Sequence, residues 1–349
     1  MERKIGGFGF ADLYAGTRRR NPHFLDAVEE LIDWSRIEQK LRKKLRRSAD
    51  KSAGVKYYPA LTMFKILLLQ TWYDLSDQST EEALCDRYSF SRFAGISLEA
   101  DVPDHTTICR FRNLLAEKQV LQKLLDEVNG QLASHGKLVK SGCAVDATII
   151  TSASRPRKHI EVEMVTADDE ESEDIEGNDY RVTVNYSKDT EARWTCKGSR
   201  YYYGYKGHMS VDTDKGFILA GHVTPANSSD TGEMTRLVRA SHLPEKTRVY
   251  GDKGYCSQAN RDTLRKGKVK LKDGIMNKAT RGHALSHRQR QRNRLISSVR
   301  GIVERCFGTL KGVYGLCRAS YLGVGKVENE FLLAAVAFNL KKAVFLPSP

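Results

Sequence analysis

Three charged residues near the carboxyl end, Arg300, Glu304 and Lys311, have a spacing that places them on one side of a helix. At about 100° per residue, their side chains fall within roughly 40° of one another. A carboxylate between two cations can bind a metal ion while its neighbours hold phosphates. A surface salt-bridge ladder has the same pattern and, for these three residues alone, is the commoner explanation.

Two aspartates are candidates for the same chemistry. Asp146 lies within the apolar run 138–150, and a lone carboxylate buried there is costly unless a cation or hydrogen bonds compensate for its charge. The alternative is a strand-end aspartate that accepts backbone donors. Asp252 lies between Gly251 and Gly254, where an ordinary turn aspartate is the alternative.

The pattern after Gly136 predicts the elements that would position these carboxylates. The order is strand, strand, strand, helix, strand, helix, strand, helix, which indicates an α/β fold with a mixed five-stranded sheet and flanking helices. The strands are predicted at 138–150, 201–212, 217–225, 248–252 and 268–275. A ribonuclease-H-like core has this order, with carboxylates on the first strand, the fourth strand and a late helix.

The three carboxylates are expected to meet at one edge of this sheet. Ligand sites in such sheets lie at the carboxyl ends of the strands, where Asp146, Asp252 and Glu304 would converge. Carboxylate oxygens are hard ligands that suit Mg²⁺, with Mn²⁺ as a substitute. Two such ions suit phosphodiester chemistry, one activating the attacking oxygen and the other stabilising the leaving oxygen.

The first 135 residues are predicted to form an all-helical domain, and residues 136–349 a second domain with an insertion at about 155–199. Asp104 is expected to cap a helix that bears Arg110 and Arg112, which suits DNA, although helical packing would explain most of this region. The insertion contains an acidic run, 161–179, which we interpret as solvated.

A basic arm, 278–294, is the best candidate for contact with a DNA backbone, because arginine binds phosphate through two parallel hydrogen bonds. A mobile solvated loop is the alternative. The arginines expected to contact DNA in this arm are Arg288, Arg290, Arg292 and Arg294.

Aromatic and histidine side chains in the predicted sheet are ambiguous. Tyr201–Tyr203 and Tyr205 could stack on bases, but strands favour tyrosine and packing is commoner. His208 and His222 lie on facing strands and could meet near the metal site, although hydrogen-bonded sheet histidines are commoner.

Composition limits the class of partner. The chain of 349 residues has a formal net charge of +14 and a pI near 9.4, which favours polyanions, nucleic acid first among them. Seven scattered cysteines indicate neither a zinc site nor a disulfide framework. The apolar runs are too short to span a bilayer, so we expect no membrane contact and a cytoplasmic, nucleoid-associated protein.

Several ordered motifs resemble the DDE transposases of prokaryotic insertion sequences, specifically the insertion-sequence-five group. The run 102–112, Val-Pro-Asp-His-Thr-Thr-Ile-Cys-Arg-Phe-Arg, is similar to the amino-terminal domain of that group. The blocks 203–208, 223–227 and 250–255 resemble its core motifs, and Arg300, Glu304 and Lys311 keep its Arg-x3-Glu-x6-Lys spacing. The resemblance covers most of the chain.

The resemblance implies a transposase that binds the terminal inverted repeats of its element, cleaves DNA at the ends and joins them to target DNA. Asp146, Asp252 and Glu304 would then be the catalytic triad that holds two divalent ions, and Arg300 and Lys311 would contact the transposon end. A homodimer or higher oligomer is expected because two ends must be paired. Ser297 stands where the family often has tyrosine, which puts base stacking there in doubt, and Ser229 stands where many relatives have histidine.

Two rival functions remain open from the sequence. One is a DNA-binding descendant of a transposase that no longer cuts, against which the intact acidic triad argues. The other is a ribonuclease-H-like nuclease that cleaves general substrates without a joining step. An RNA-binding structural protein is a more distant third reading, because it would explain the charge but not the carboxylates.

Overall fold

The computed structural model describes residues 9, 24–45, 57–156, 159–164, 180–185 and 187–346, with the backbone alone described for 159–164 and 180–185. The predicted acidic run lies outside the described residues from 165 to 179. The helices are α1 (Phe24–Leu31), α2 (Trp34–Lys44), α3 (Ala60–Tyr73), α4 (Asp77–Asp86), α5 (Tyr88–Ala94), α6 (His105–Lys118), α7 (Leu121–Ser134), α8 (Asp230–Ala240), α9 (Gln258–Lys266), α10 (His287–Gly312) and α11 (Val324–Phe345). The strands are β1 (Gly142–Thr151), β2 (His159–Met164), β3 (Tyr180–Asn185), β4 (Arg193–Lys197), β5 (Arg200–Asp212), β6 (Ile218–Pro225), β7 (Arg248–Gly251) and β8 (Lys272–Ile275).

The helices of the amino-terminal region form because side-chain caps and apolar faces favour them. The Asp104 side chain accepts a hydrogen bond from the Thr107 backbone N–H at 2.7 Å, as predicted for the start of α6. Helix α3 is apolar on nearly all sides and is buried by its neighbours. The helices pack around it.

A mixed sheet follows, in the strand order β4-β5-β1-β7-β8, with β6 also paired to β5. Strand β1 is antiparallel to β5 and parallel to β7, and β7 is parallel to β8. All five predicted strands are present, but the count of five was wrong because β4, within the predicted insertion, extends the sheet along the start of β5. Strands β2 and β3 pair with each other separately.

Helix α11 joins the sheet to the helical region. Its Phe331 ring lies against Gly207 of β5 and Gly221 of β6, where an added Cβ would come within 2.8 and 2.7 Å of the ring. Buried Asn339 accepts a hydrogen bond from the Ile218 backbone N–H at 2.9 Å and donates to Asn129 of α7 at 2.8 Å. Helical region and sheet therefore share one hydrophobic core, and the predicted domain boundary at 135/136 stays a prediction.

No described helix combines the length and apolar character that a membrane span needs.

Candidate active site

The Asp146 side chain is mostly buried near the middle of β1. One of its carboxylate oxygens accepts a hydrogen bond from the Ala147 backbone N–H at 2.9 Å, and the other pairs with the Arg300 guanidinium of α10 at 2.8 Å. Burial raises the pKa of Asp146; Arg300 opposes this shift, and the charge of Asp252 adds to it. The carboxylate therefore has the cation that its burial requires.

Asp252 lies beside Asp146. Ala144 of β1 is opposite Tyr250 of β7 in a parallel pair. Continuing this register by two residues brings Asp146 level with Asp252, the residue directly after β7, on the same side of the sheet. Burial raises the pKa of Asp146, and the Asp252 charge accordingly adds to this shift. The Asp252 side chain also accepts a hydrogen bond from the Gly254 backbone N–H at 2.8 Å and caps a short 3₁₀ turn, Lys253–Tyr255. Asp252 therefore both caps this turn and lies beside Asp146.

Helix α10 brings Arg300 onto this face but leaves Glu304 in solvent. Arg300 is buried and pairs with Asp146, whereas Glu304 is exposed, one turn or about 6 Å further along the helix axis. Glu304 forms no hydrogen bond or ion pair with the described residues, so the salt-bridge ladder is not present there.

The two adjacent aspartates suit a divalent cation in chemistry. Burial and the Asp252 charge raise the pKa of Asp146, and a hard cation held by the two carboxylates would oppose that shift. Within the described ranges no three His, Cys, Asp or Glu side chains are grouped closely enough to hold a metal ion. The structure thus brings Asp146 and Asp252 together and leaves Glu304 outside the pair.

Tyr255 is a residue that the sequence reasoning missed. Its ring is buried, and its hydroxyl has no hydrogen-bond partner among the described residues. Burial raises the pKa of Tyr255 well above its usual range, and the charges of Asp146, Asp230 and Asp252 add to this shift. The sequence feature that could have identified Tyr255 is its position three residues after Asp252, at the end of the run Gly-Asp-Lys-Gly-Tyr.

His208 and His222 meet, but on the opposite face of the sheet. They are paired across β5 and β6, with ring centroids 4.9 Å apart. In the β1–β5 register Asp146 is paired with Met209, and the next residue, Ala147, is paired with His208. Because successive side chains of a strand point to opposite sides of the sheet, His208 and His222 lie on the side away from the aspartate pair. They are sheet residues, the commoner reading of the two weighed from the sequence.

The α8 face has its own polar pairs. His222 lies 2.8 Å from Glu233, His208 lies 2.9 Å from the Thr224 hydroxyl, and Lys206 pairs with Asp230 at 3.0 Å. Burial lowers the pKa of His208 to about 4 and that of His222 to about 2, so both rings are neutral near pH 7.

Some tyrosines of β5 pack against other residues, and one is exposed to solvent. Tyr205 is buried and donates its hydroxyl hydrogen bond to Asp189, and Tyr203 packs against Trp194 of β4 at 5.3 Å between ring centroids. Tyr201 and Trp194 expose 75% and 53% of their surfaces. Lys197, at the end of β4, lies close enough to Lys311 for its charge to act there. Burial lowers the pKa of Lys311, and the Lys197 charge adds to this shift.

The prediction that Arg112 contacts DNA is wrong for this structure, because its side chain is buried. It donates hydrogen bonds to Gln70 of α3 and pairs with Asp77 of α4. Its guanidinium also lies 4.9 Å from the centre of the Tyr321 ring. Arg110, two residues earlier, is exposed.

The second half of the basic arm, from His287, is helical. A capping box, in which the Ser286 and Gln289 side chains bond each other's backbone N–H groups, starts α10 at His287. Arg288, Arg290 and Arg294 are therefore exposed on a regular helix. Arg292 donates to the Ile275 carbonyl oxygen at 2.6 Å and ties the helix to β8.

Comparisons with known proteins match most of the chain. The family model described as "Transposase DDE domain" matches residues 137–340, and the model "Transposase domain (DUF772)" matches residues 14–114. The transposase for insertion sequence element IS1106 of Neisseria meningitidis serogroup B is 41% identical over 237 residues, which is 67% of this chain and 76% of that protein.

Two solved structures are more distantly similar. A cryo-EM structure of the piggyBac transposase synaptic complex with hairpin DNA has a TM-score of 0.41 and 11% identity, covering 92% of this chain and 76% of that one. The Mos1 transposase paired-end complex with left transposon end has a TM-score of 0.22 and 11% identity, covering 86% and 92%. Neither TM-score is high enough to establish a shared fold.

Proposed function

The chain belongs to the DDE transposases of insertion sequences, enzymes that cleave and transfer DNA strands, and from this premise we propose how its own residues act. It binds the terminal inverted repeats of its element, cuts at the ends and joins the 3′-hydroxyl ends to target DNA. The observation that carries the proposal is the position of Asp146 beside Asp252 on the face covered by α10. Membership of the insertion-sequence-five group and a ribonuclease-H-like core are part of the proposal, supported by the motifs and the strand order.

Asp146, Asp252 and Glu304 are the proposed catalytic carboxylates. The family generally uses divalent metal ions, and we propose two Mg²⁺ ions, with Mn²⁺ able to substitute. Asp146 and Asp252 would hold metal through their adjacent oxygens, and Glu304 would join them when DNA is bound. The ions supply Lewis acidity for phosphoryl transfer.

Arg300 has two proposed roles in succession. Without DNA its guanidinium neutralises the buried Asp146 carboxylate. With DNA bound, Arg300 and the half-buried Lys311 contact phosphates of the transposon end, because cations beside the reacting group stabilise its developing charge.

Exposed arginines supply the remaining proposed DNA contacts. Arg288, Arg290 and Arg294 line the exposed start of α10, and Arg110 lies on α6 of the helical region. Cations in the first turns of a helix oppose its dipole, so the clustering on α10 costs stability that a bound phosphate backbone would offset. Arg292 instead fixes α10 to β8.

We propose two domains, 1–135 for recognition of the repeats and 136–349 for catalysis. Pairing of two transposon ends requires at least a homodimer on DNA. The protein would act at the nucleoid in the cytoplasm.

The test uses purified protein and duplex DNA that contains the sequences flanking its gene. Cleavage and joining are followed with Mg²⁺ or Mn²⁺ for the wild type, Glu304→Gln and the control Glu245→Gln, an exposed glutamate in the loop before β7. Specific cuts and joined products that vanish only in Glu304→Gln are expected. Tight end binding without cutting in any protein would instead indicate a DNA-binding descendant, and cutting without sequence preference or joining would indicate a general nuclease.

A further inference from the structure

A surface pocket of about 330 Å³ lies between the β5–β6 turn, α10 and α11. Three cations line it, Lys215, Arg305 and Lys342, against a single carboxylate, Asp214. The Thr309 side chain adds a hydroxyl to the lining. Such a surplus of cations around a concave surface favours an oxyanion.

Lys342 is fixed in place with donors to spare. Its ammonium donates a hydrogen bond to the Gly216 carbonyl oxygen at 3.1 Å, which uses one of its three protons. Burial lowers the pKa of Lys342; Cys306 and Asp212 oppose this shift, and the nearby Arg305 charge adds to it. The two cations therefore repel each other in a way that a bound anion would relieve.

Arg305 is free to bind a ligand. It is exposed, and no ion pair links it to a carboxylate in the part of the chain that the structure describes. Its guanidinium offers five donors in a planar fork that fits phosphate oxygens. On the helix it is turned about 100° from Glu304, so it faces a different side of α10.

The β5–β6 turn forms one wall of the pocket and contacts both helices. Gly216 has a φ of +72°, and a Cβ there would lie 3.0 Å from both the Lys342 ammonium nitrogen and the Ile302 side chain. The Cys306 thiol also donates to the Gly216 carbonyl oxygen at 3.4 Å. Glycine suits this positive φ and lets the turn close onto both helices, whereas a larger residue there would be strained.

We propose that this pocket binds a backbone phosphate of a DNA segment other than the one at the carboxylates. The inference rests on the proposed function for the identity of DNA as the partner. Helix α10 then contacts DNA on two sides, through Glu304 and Lys311 on one and through Arg305 on the other. Free inorganic phosphate has the same oxyanion group as the DNA backbone, and the test below distinguishes these two ligands.

The test measures the salt dependence of binding to a duplex that extends on both sides of the element end. Each phosphate contact that is lost lowers the slope of log Kd against log salt by about one. Arg305→Gln is expected to lower the slope by about one, and Arg305→Lys to restore most of it. The matched control is Arg239→Gln, an exposed arginine of α8 on the other side of the sheet.

Thermal melting verifies that all variants fold, and a second series adds inorganic phosphate without DNA. A wild-type slope in Arg305→Gln, equal to that of Arg239→Gln, would overturn the proposal. If phosphate then raised the Tm of the wild type but not of Arg305→Gln, the occupant would be free phosphate and the DNA assignment would be rejected. Because the readout is binding, a protein that binds with the expected slopes but never cuts would reject the proposed function and leave the pocket standing.

Discussion

The two faces of the mixed sheet differ in how their ionisable side chains are paired. On the α8 face, His222 with Glu233 and Lys206 with Asp230 form close local pairs. On the α10 face, Asp146 pairs with Arg300 from a distant helix, and the buried Arg300 Nε has no hydrogen-bond partner among the described residues. The buried His208 Nδ1 on the α8 face also has no described partner, so satisfaction alone does not separate the faces. Neutral histidines beside local partners indicate a structural network, whereas a buried carboxylate with a raised pKa and a second carboxylate beside it indicates a ligand site.

The largest expected difference between the faces is in catalysis. Asp252→Asn keeps an acceptor for the Gly254 backbone N–H and so preserves the turn. It is expected to lower end cleavage by on the order of 10³-fold or more, because one metal-binding carboxylate is lost. Glu233→Gln on the α8 face is expected to lower cleavage by less than about tenfold. Single-turnover cleavage measures both, and equal losses would erase the distinction.

The next largest effect is on stability against pH, and it belongs to the α8 face. Burial lowers the pKa of His208 to about 4, below its unfolded value, so the stability it contributes is present above about pH 6.5 and is lost as pH falls toward 4. The loss is about 3 kcal/mol at 1.36 kcal/mol per pKa unit. Urea unfolding between pH 7 and 4 should show a shallower dependence in His208→Gln than in wild type. The exposed His135→Gln should behave like wild type. His222 adds a similar loss in all three proteins, so the test is the difference between them, and equal dependences in His208→Gln and wild type would contradict the assignment.

A smaller effect concerns the cation that neutralises Asp146. Arg300→Gln is expected to raise the Mg²⁺ affinity of the DNA-free protein by about tenfold, since a competing charge 2.8 Å from the carboxylate is removed. Isothermal titration provides the affinity, with Arg305→Gln as a control that leaves the Asp146 pair intact. Unchanged or weaker Mg²⁺ binding in Arg300→Gln would show that the guanidinium does not compete with metal.

The smallest expected effect tests the local pairing of the α8 face. Thr224→Val removes the hydroxyl next to His208 and should reduce the free energy of unfolding by about 1 kcal/mol. Urea unfolding measures the change, and metal binding should stay as in wild type. A loss of metal affinity in this variant would couple the two faces and contradict their separation.

Sequence patterns located most of the sheet because its strands alternate or run apolar over several residues, as in β1 and β6. The strand β4 was missed because its charged and exposed residues lie in the insertion and gain order only by pairing with β5. The helical start of α10 was also missed, since its capping box, Ser286 with Gln289, stands within a strongly basic run.

The site could be predicted only in part, because several of its features depend on contacts between residues that are distant in the sequence. Asp146 was identifiable because a carboxylate in an apolar strand is costly without a compensating partner. Asp252 was identifiable because it follows a strand, where ligand sites of such sheets lie. The burial of Arg112 depends on Asp77, 35 residues away, which no local pattern reveals. The separation of His208 from Asp146 depends on the strand register, which sequence alone left open.

The most direct test of the account is Mn²⁺ binding to the DNA-free protein, followed by electron paramagnetic resonance. Wild type, Asp146→Asn on the α10 face and Glu233→Gln on the α8 face are compared after thermal melting has shown that each folds. The account predicts saturable Mn²⁺ binding in wild type and Glu233→Gln and its loss in Asp146→Asn. Undiminished binding in Asp146→Asn, or loss of binding in Glu233→Gln alone, would contradict the assignment of the metal site to the α10 face.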